Sequence, residues 1–321
     1  MKKFAIIGCG RIAGRHAENI ARVGKLEAVC DPVVKQSEAF AKTYGARAYS
    51  SVDDLLQNEK EVEVVVVCSP NGFHAEHIIK SLQAGKDVLT EKPLCLTKAA
   101  AWQIIETEKY CRQKLYIVKS ARYNPIIQQL KKIITENQLG ELYSFHLNCI
   151  WNRSNDYYTD WKGKLFPDGG TLYNQFSHFI DVMLWLFGDV ADVKGFKANK
   201  AHQSTIEFED CGTVAMQMQN GVLGSLHWSV NSYRKNFEIG LTVVAEKGTI
   251  KIGGENLNEV QYAQMENPIA FPVFQKENWS NHNEVYDHLM EAMKESGTEF
   301  PDAYEGLKTV ETIEKIYKAT S

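Results

Sequence analysis

The sequence predicts an N-terminal α/β domain with a doubly wound parallel sheet, followed by an α+β domain with an open, mainly antiparallel sheet. Two observations predict this fold class. Short apolar strands alternate with helical patterns over the first 120 residues, and period-two alternation with hairpin turns replaces them after Glu141. The length of 321 residues, about twice a common single domain, favours boundaries at 1–120 and 121–321.

The composition is that of a folded protein with no bias towards nucleic acid or membrane. Hydrophobic residues make up 44% and charged residues 24%, and 36 basic against 40 acidic side chains give a net charge of −4. Neither nucleic acid nor an anionic membrane is therefore expected as a partner. The seven cysteines show no CxxC pair or metal-finger spacing, which predicts reduced thiols, a cytoplasmic location and no metal site.

The elements of the first domain follow one another as strand, turn and helix. Residues 3–8 form an apolar strand, and a helical pattern begins at Ile12. Further strands are predicted at 26–30, 62–68, 87–90 and 115–118, with helical patterns between them.

A glycine-rich turn connects the first strand to the first helix. In Gly8-Cys9-Gly10-Arg11-Ile12-Ala13, the glycines let the backbone approach a pyrophosphate at the helix N-terminus, and Asp31 ends the second strand where it can accept ribose hydroxyls. We therefore predict that Gly8, Gly10, Arg11, Ile12 and Asp31 bind NAD. The Asp31 carboxylate would repel the 2′-phosphate of NADP, although Arg11 and Lys35 leave NADP open. The alternative is a plain tight turn, with Asp31 as a helix cap.

Three further motifs follow along the chain. They are Ser69-Pro70-Asn71 with His74, then Glu91-Lys92-Pro93, then Asp168-Gly169-Gly170-Thr171-Leu172 leading to His178 and Asp181. With these motifs the sequence resembles the Gfo/Idh/MocA family of NAD(P)-dependent sugar oxidoreductases over essentially its whole length. The resemblance implies a Rossmann domain first and a substrate and oligomerisation domain after it.

The resemblance assigns a role to Lys92. In the family, the lysine of the Glu-Lys-Pro motif lies beside the nicotinamide and the reacting carbon, often before a cis proline, so Lys92–Pro93 is a candidate cis bond. Without the other motifs, Lys92 would be interpreted as a solvated loop lysine. The cofactor contacts implied by the resemblance are Ser69, Asn71, His74, Glu91, Lys92 and Arg122.

The downstream motif departs from the usual family pattern. The family has an aspartate, a histidine four residues later and an aspartate three further on, whereas here the residues are Asn174, His178 and Asp181. This spacing predicts one helical face, on which Asn174 can orient groups only by neutral hydrogen bonds. A core histidine or a His178–Asp181 metal pair is the alternative. Asn174, together with Asp168-Gly169-Gly170 and the apolar run at 178–181, resembles the branch of the family that oxidises UDP-N-acetylglucosaminuronic acid at C3 for bacterial surface polysaccharides.

The second domain is predicted from alternating strands and two terminal helices. Hairpin signals stand at Asn220-Gly221 and Lys247-Gly248. The strands are predicted at 142–147, 206–209, 213–219, 222–230 and 237–245, and the helices at 282–294 and 304–318. The family resemblance implies a homodimer or homotetramer through the outer face of the sheet, with the last helix packed back near the first domain.

A long loop at 151–164 carries four aromatic side chains and three cations. These residue types can stack on a base or sugar and hold phosphates or a carboxylate, although a solvated lid is an equal alternative. The predicted substrate-binding residues are Arg153, Trp161 and Lys162 from this loop, with Lys92, Asn174, Gln175 and His178.

The predicted function is an NAD-dependent dehydrogenase in which His178 removes a hydroxyl proton while hydride passes to the nicotinamide. Lys92 would polarise the same oxygen, Asn174 would orient the substrate, and Lys92 and His178 are open to exchanging the role of base. The alternatives are a dehydrogenase of a free sugar, inositol or another glycoside, and a non-catalytic NAD-sensing protein.

Overall fold

The computed structural model describes residues 1–273, 281–294 and 299–320. It divides into two compact units. The first contains residues 1–119 and 282–310, and the second contains residues 120–281 and 311–321. The division differs from a single cut at residue 120, because residues 282–310 belong to the first unit.

The first unit is built on a six-stranded parallel sheet with the order β3-β2-β1-β4-β5-β6. The strand order reverses beside β1, as in doubly wound folds. All four residues of β4 are buried valines, which fits a central strand covered on both faces. The strands are β1 (Lys2–Ile7), β2 (Gly24–Cys30), β3 (Arg47–Tyr49), β4 (Val64–Val67), β5 (Asp87–Thr90) and β6 (Leu115–Ile117).

The helices follow the predicted alternation. Those that precede the second unit are α1 (Arg11–Val23), α2 (Val34–Tyr44), α3 (Val52–Asn58), α4 (His74–Gln83) and α5 (Lys98–Cys111). The remaining ones are α6 (Pro125–Thr135), a single turn α7 (Leu165–Asp168), α8 (Ser177–Phe187), α9 (His282–Lys294) and α10 (Ala303–Ala319). The last two match the helical patterns predicted for the end of the chain.

The second unit contains a seven-stranded sheet with the order β13-β12-β11-β7-β10-β9-β8. Within the described residues, its one parallel pair is β7 with β10. Phe145 of β7 stacks on Phe187 of α8 with ring centroids 4.3 Å apart, so helix and sheet share a core. The strands are β7 (Leu142–Ile150), β8 (Val190–Ala198), β9 (Cys211–Met218), β10 (Leu223–Ser229), β11 (Glu238–Ala245), β12 (Gly248–Gly253) and β13 (Glu259–Met265).

The structure confirms the fold class and corrects some of its details. The strand predicted at 206–209 is wrong, since these residues form a loop. Ile206 and Phe208 are buried there, and the side-chain amide of Asn199 donates to the Phe208 carbonyl at 3.0 Å. The apolar alternation therefore reflects a loop with buried anchors. Strands β3, β8, β12 and β13 were not predicted.

All seven cysteines are free thiols, as predicted. Among the described residues, no helix combines the length and apolar character required to cross a membrane.

Candidate active site

The glycine turn between β1 and α1 has the geometry of a nucleotide site. Gly8 has a φ of +95°, and a Cβ there would lie 2.7 Å from the backbone of Cys68 and Ser69, so only glycine fits. A Cβ on Gly10, the N-cap of α1, would meet nothing within 4 Å. The N-terminus of α1 is therefore open to a pyrophosphate, next to Arg11 and Ile12.

Asp31 is held against this turn by two backbone donors. Its Oδ2 accepts the Cys9 N–H at 2.9 Å, and its Oδ1 accepts the Val33 N–H at 2.9 Å. The carboxylate stays partly exposed, and each oxygen has a further lone pair for a ribose hydroxyl. These residues fit NAD.

His74 joins two loops at the carboxyl edge of the sheet. Its Nε2 lies 2.8 Å from the Ser69 carbonyl oxygen, and its Nδ1 lies 2.6 Å from the Pro93 carbonyl oxygen. The ring is 1% exposed, and this burial lowers its pKa. His74 thus holds the loops after β4 and β5 together, beside Asn71, which is also buried.

The segment after β5 presents one side chain. Within residues 88–95, Lys92 alone is partly exposed and the others are buried. The Lys92–Pro93 bond is cis, as predicted. Glu91 is buried and accepts hydrogen bonds from two histidines, so Lys92 is the group here that can meet a ligand.

In the second unit, Asn174 and His178 do not lie on one continuous α-helix. Leu172–Phe176 is a π-helical turn that contains Asn174, and α8 begins only at Ser177. Such turns often occur at functional sites. Within residues 171–184, nevertheless, only Asn174 and His178 are partly exposed, so both reach the surface from a buried segment.

Asp181 forms a buried ion pair with Arg122. The guanidinium donates from Nε to Oδ2 at 2.8 Å and from Nη2 to Oδ1 at 2.8 Å, a bidentate geometry that fixes both side chains. Arg122 also lies over the Trp185 ring, 5.4 Å from its centroid. The pair links the turn after β6 to α8.

Three of the predicted substrate-binding residues lie around Tyr157. Arg153 donates from Nε to the Gln175 side-chain oxygen at 2.7 Å, and Gln175 donates to the Tyr157 hydroxyl at 2.9 Å. The Arg153 guanidinium and the Lys162 ammonium lie 5.0 and 5.2 Å from the Tyr157 ring centroid, and Lys162 also lies over Trp161 at 5.4 Å. We call these five residues the cation–aromatic cluster. Tyr157 was missing from the predicted residues.

His202 supports this cluster from outside the loop. Its Nε2 bonds the Arg153 carbonyl at 2.8 Å, and its Nδ1 lies 3.1 Å from Oδ2 of Asp210. Nothing in the local sequence singles out His202, because its partners lie 49 and 8 residues away.

A buried carboxyl group supports the segment that carries Asn174. The Tyr317 hydroxyl donates to Oε1 of Glu209 at 2.8 Å and accepts the Leu172 N–H at 3.0 Å. Burial raises the pKa of Glu209 to about 7, so this carboxyl titrates close to neutral pH.

A Glu209→Gln variant should be more stable relative to the parent at pH 8 than at pH 5. The folded pKa of about 7 exceeds the unfolded value of 4.5, so the parent's unfolding free energy falls as pH rises through this window. The variant lacks this titration. Between pH 5 and pH 8, its free energy of unfolding should rise by about 2 to 3 kcal/mol relative to that of the parent. Urea unfolding measures this difference, with the exposed Glu207→Gln as control. If the free energy of unfolding had the same pH dependence in parent and variant, the raised pKa of Glu209 would be contradicted.

Family comparisons match both parts of the chain. The family model for the oxidoreductase family with an NAD-binding Rossmann fold matches residues 2–119. The family model for the GFO/IDH/MocA C-terminal domain matches residues 127–251. Among curated proteins, inositol 2-dehydrogenase of Salmonella typhimurium is 30% identical, over 78% of this chain and 73% of that protein. Glucose-6-phosphate 3-dehydrogenase of Bacillus subtilis is 24% identical, over 100% of this chain and 97% of its own length.

Solved structures show the same fold. The WlbA dehydrogenase from Chromobacterium violaceum, in complex with NADH and UDP-GlcNAcA, is 32% identical, with a TM-score of 0.92 over 99% of this chain and 93% of that one. The WlbA dehydrogenase from Bordetella pertussis, in complex with the same two ligands, is 30% identical, with a TM-score of 0.90 over 99% and 96% of the two chains.

Proposed function

The chain belongs to the Gfo/Idh/MocA family of NAD-dependent oxidoreductases, and from this premise we propose that it oxidises C3 of a UDP-N-acetylglucosaminuronic-acid-type nucleotide sugar. That it is a dehydrogenase acting on sugar hydroxyls follows from its family. The choice of a nucleotide sugar is supported by the likeness to two enzymes bound to UDP-GlcNAcA and by the cation–aromatic cluster.

The observation on which the proposal rests is that three polar side chains are partly exposed within segments that are otherwise buried. Lys92 in the first unit and Asn174 and His178 in the second are the partly exposed members of otherwise buried segments. Polar side chains held at the surface by a rigid, buried backbone are suited to act on a ligand. We propose that these three residues act on one substrate.

The proposed chemistry divides the proton and the hydride between protein and cofactor. NAD held by the glycine turn and Asp31 would supply the acceptor for the hydride of the carbon that is oxidised. His178 takes the proton of the hydroxyl on that carbon. The C–O single bond becomes a carbonyl double bond as the C–H bond breaks. The Lys92 ammonium donates a hydrogen bond to the same oxygen, and the Asn174 amide orients it. The reverse assignment has Lys92 as base and His178 as donor.

The cation–aromatic cluster fits the anionic part of such a substrate. The Arg153 guanidinium is fixed by Gln175, and an oriented guanidinium binds carboxylate or phosphate oxygens in a bidentate way. The Tyr157 and Trp161 rings offer faces on which a base or sugar ring can stack. We propose that this cluster binds the diphosphate or the uronate carboxylate of the nucleotide sugar.

Assays of NADH formation test this proposal. UDP-N-acetylglucosaminuronate should be turned over with a higher kcat/KM than inositol, glucose 6-phosphate or simple hexoses. Arg153→Met should raise KM for the nucleotide sugar about 10- to 100-fold, and the exposed Lys200→Met should not. If NADH does not accumulate, a 2-oxo acid must be added to reveal cofactor that stays bound between turnovers.

A free cyclitol or sugar is the second candidate, favoured by the 30% identity to inositol 2-dehydrogenase. Such a substrate has no anionic group for Arg153. A preference for inositol, with KM insensitive to Arg153→Met, would therefore replace the nucleotide sugar as the proposed substrate.

We also propose that the chain forms a homodimer or homotetramer through the outer face of the second unit's sheet. Large apolar side chains are exposed on this face, where Phe196, Leu223 and Val244 are 81%, 58% and 38% exposed. Exposed apolar side chains that share a sheet face are typical of an interface. Sedimentation velocity should give a dimer or tetramer, and a monomer at all concentrations would contradict the proposal.

We propose a cytoplasmic role in the synthesis of surface polysaccharides. Seven free thiols suit a reducing compartment, and nucleotide sugars are the activated precursors of such polymers. Location of the expressed chain by cell fractionation tests the compartment.

A further inference from the structure

The Glu91 carboxylate lies at the centre of a buried polar cluster in the first unit. Its Oε1 is 3.0 Å from Nε2 of His16 and 3.2 Å from Nε2 of His282. The Tyr286 hydroxyl lies 2.9 Å from Nδ1 of His16. All four side chains are buried, with His16 and Tyr286 fully so. The cluster joins α1, the loop after β5, and α9.

The contacts indicate where the protons are. Because a carboxylate only accepts hydrogen bonds, the Nε2 atoms of His16 and His282 both carry protons and donate to Oε1. The Tyr286 hydroxyl then donates to the unprotonated Nδ1 of His16. Burial lowers the pKa of His16, which fits its neutral form.

The same contacts keep Glu91 ionised. Burial by itself would raise its pKa, but hydrogen bonds from His16 and His282 outweigh this effect and hold the pKa well below the ordinary value. The charged or titratable groups that face the carboxylate are His16, His282, His74, Lys92, Cys68 and Tyr286.

The second oxygen of Glu91 connects the cluster to Lys92. Oε2 accepts the backbone N–H of Lys92 at 3.2 Å. On the other side of Lys92, the Pro93 carbonyl is bonded by His74 at 2.6 Å. The main chain is therefore held immediately before and after the side chain proposed to meet the substrate.

We propose that His16 and His282 are positioning residues for Lys92, which act through the Glu91 carboxylate. The inference rests on the proposed function of Lys92. The Nε2 donors of His16 and His282 fix one carboxylate oxygen, and the other oxygen accepts the Lys92 backbone N–H and so fixes the point from which the Lys92 side chain extends.

A metal ion is the competing interpretation of this cluster. One ligand atom from each of His16, Glu91 and His282 lies within 4.8 Å of the others, which also suits a two-histidine, one-carboxylate site. The two interpretations differ in the proton on Nε2, because a ligating nitrogen has a lone pair there and a hydrogen-bond donor has a proton.

A pair of variants at His282 tests the proposal. Gln keeps an N–H donor, whereas Leu removes it, and His288, an exposed histidine on the same helix α9, provides the control as His288→Leu. His282→Leu should lower kcat about tenfold or more with little change in the affinity for NAD. The acid limb of its pH–rate profile should move to higher pH, because Glu91 loses one of the hydrogen bonds that hold its pKa low. His282→Gln should keep most of the parent's kcat and a pH–rate profile close to that of the parent.

The result that would overturn the proposal is a pH–rate profile that is the same for the parent, Leu and Gln chains, even if the melting temperature falls. One equivalent of metal in the purified parent chain would overturn it as well. If the parent turns over none of the sugars, the proposed function fails, but ¹⁵N NMR of the histidines still decides the inference. Protons on Nε2 of His16 and His282 support it, and a lone pair on either overturns it.

Discussion

Lys92→Met is expected to lower kcat by a factor of about 10² to 10⁴ and to weaken NAD binding far less. Methionine has a similar length but neither charge nor donor, so it removes the hydrogen bond to the reacting oxygen. The cofactor contacts predicted at Gly8, Gly10 and Asp31 lie elsewhere in the first unit and are not altered. The loss should therefore appear more in turnover than in cofactor affinity.

Steady-state turnover and fluorescence titration with NADH measure the two effects separately. The exposed Lys98 at the start of α5 provides the matched control, and Lys98→Met should retain full turnover. If Lys92→Met retains the parent's kcat, Lys92 takes no part in the reaction.

His178→Gln is the second large effect, with an expected fall in kcat of about 10² to 10⁴. Glutamine keeps a polar side chain at this position but cannot accept and release a proton near neutral pH, so substrate binding should change much less than turnover. His288→Gln again provides an exposed histidine control. A rise in KM alone would make His178 a binding residue.

The double variant Lys92→Met, His178→Gln shows whether the two residues act in one step. Groups that act as a unit give effects that are far from additive, so the double variant should be little slower than the slower single variant. Multiplied losses would indicate that the two side chains act independently.

Local sequence predicted the parts of the site that are built from neighbouring residues. The glycine turn and the carboxylate at the end of β2 follow from a short motif whose residue types the backbone geometry requires, whereas the cis bond after Lys92 follows from the family resemblance. Gly8 is the clearest case, since its positive φ and its approach to the backbone of Cys68 and Ser69 leave room for no side chain.

The parts that could not be predicted depend on residues far apart in the chain. The sequence predicts Glu91 as a cofactor contact and gives no sign that its carboxylate also hydrogen-bonds to His282, 191 residues later. Arg122 pairs with Asp181 at a separation of 59 residues. Tertiary contacts of this kind leave no periodicity in the sequence. The three-residue strand β3 is too short to show any pattern.

The first unit is built from two stretches of chain with the whole second unit between them. During synthesis, residues 1–119 leave the ribosome long before α9. His16 and Glu91 therefore stay uncovered on that side until α9 has docked. Closing so long a loop slows folding. A fragment that stops at residue 119 would lack His282 and Tyr286 and would expose apolar surface of α1. An isolated cofactor domain should therefore be made by joining residues 1–119 to 282–310.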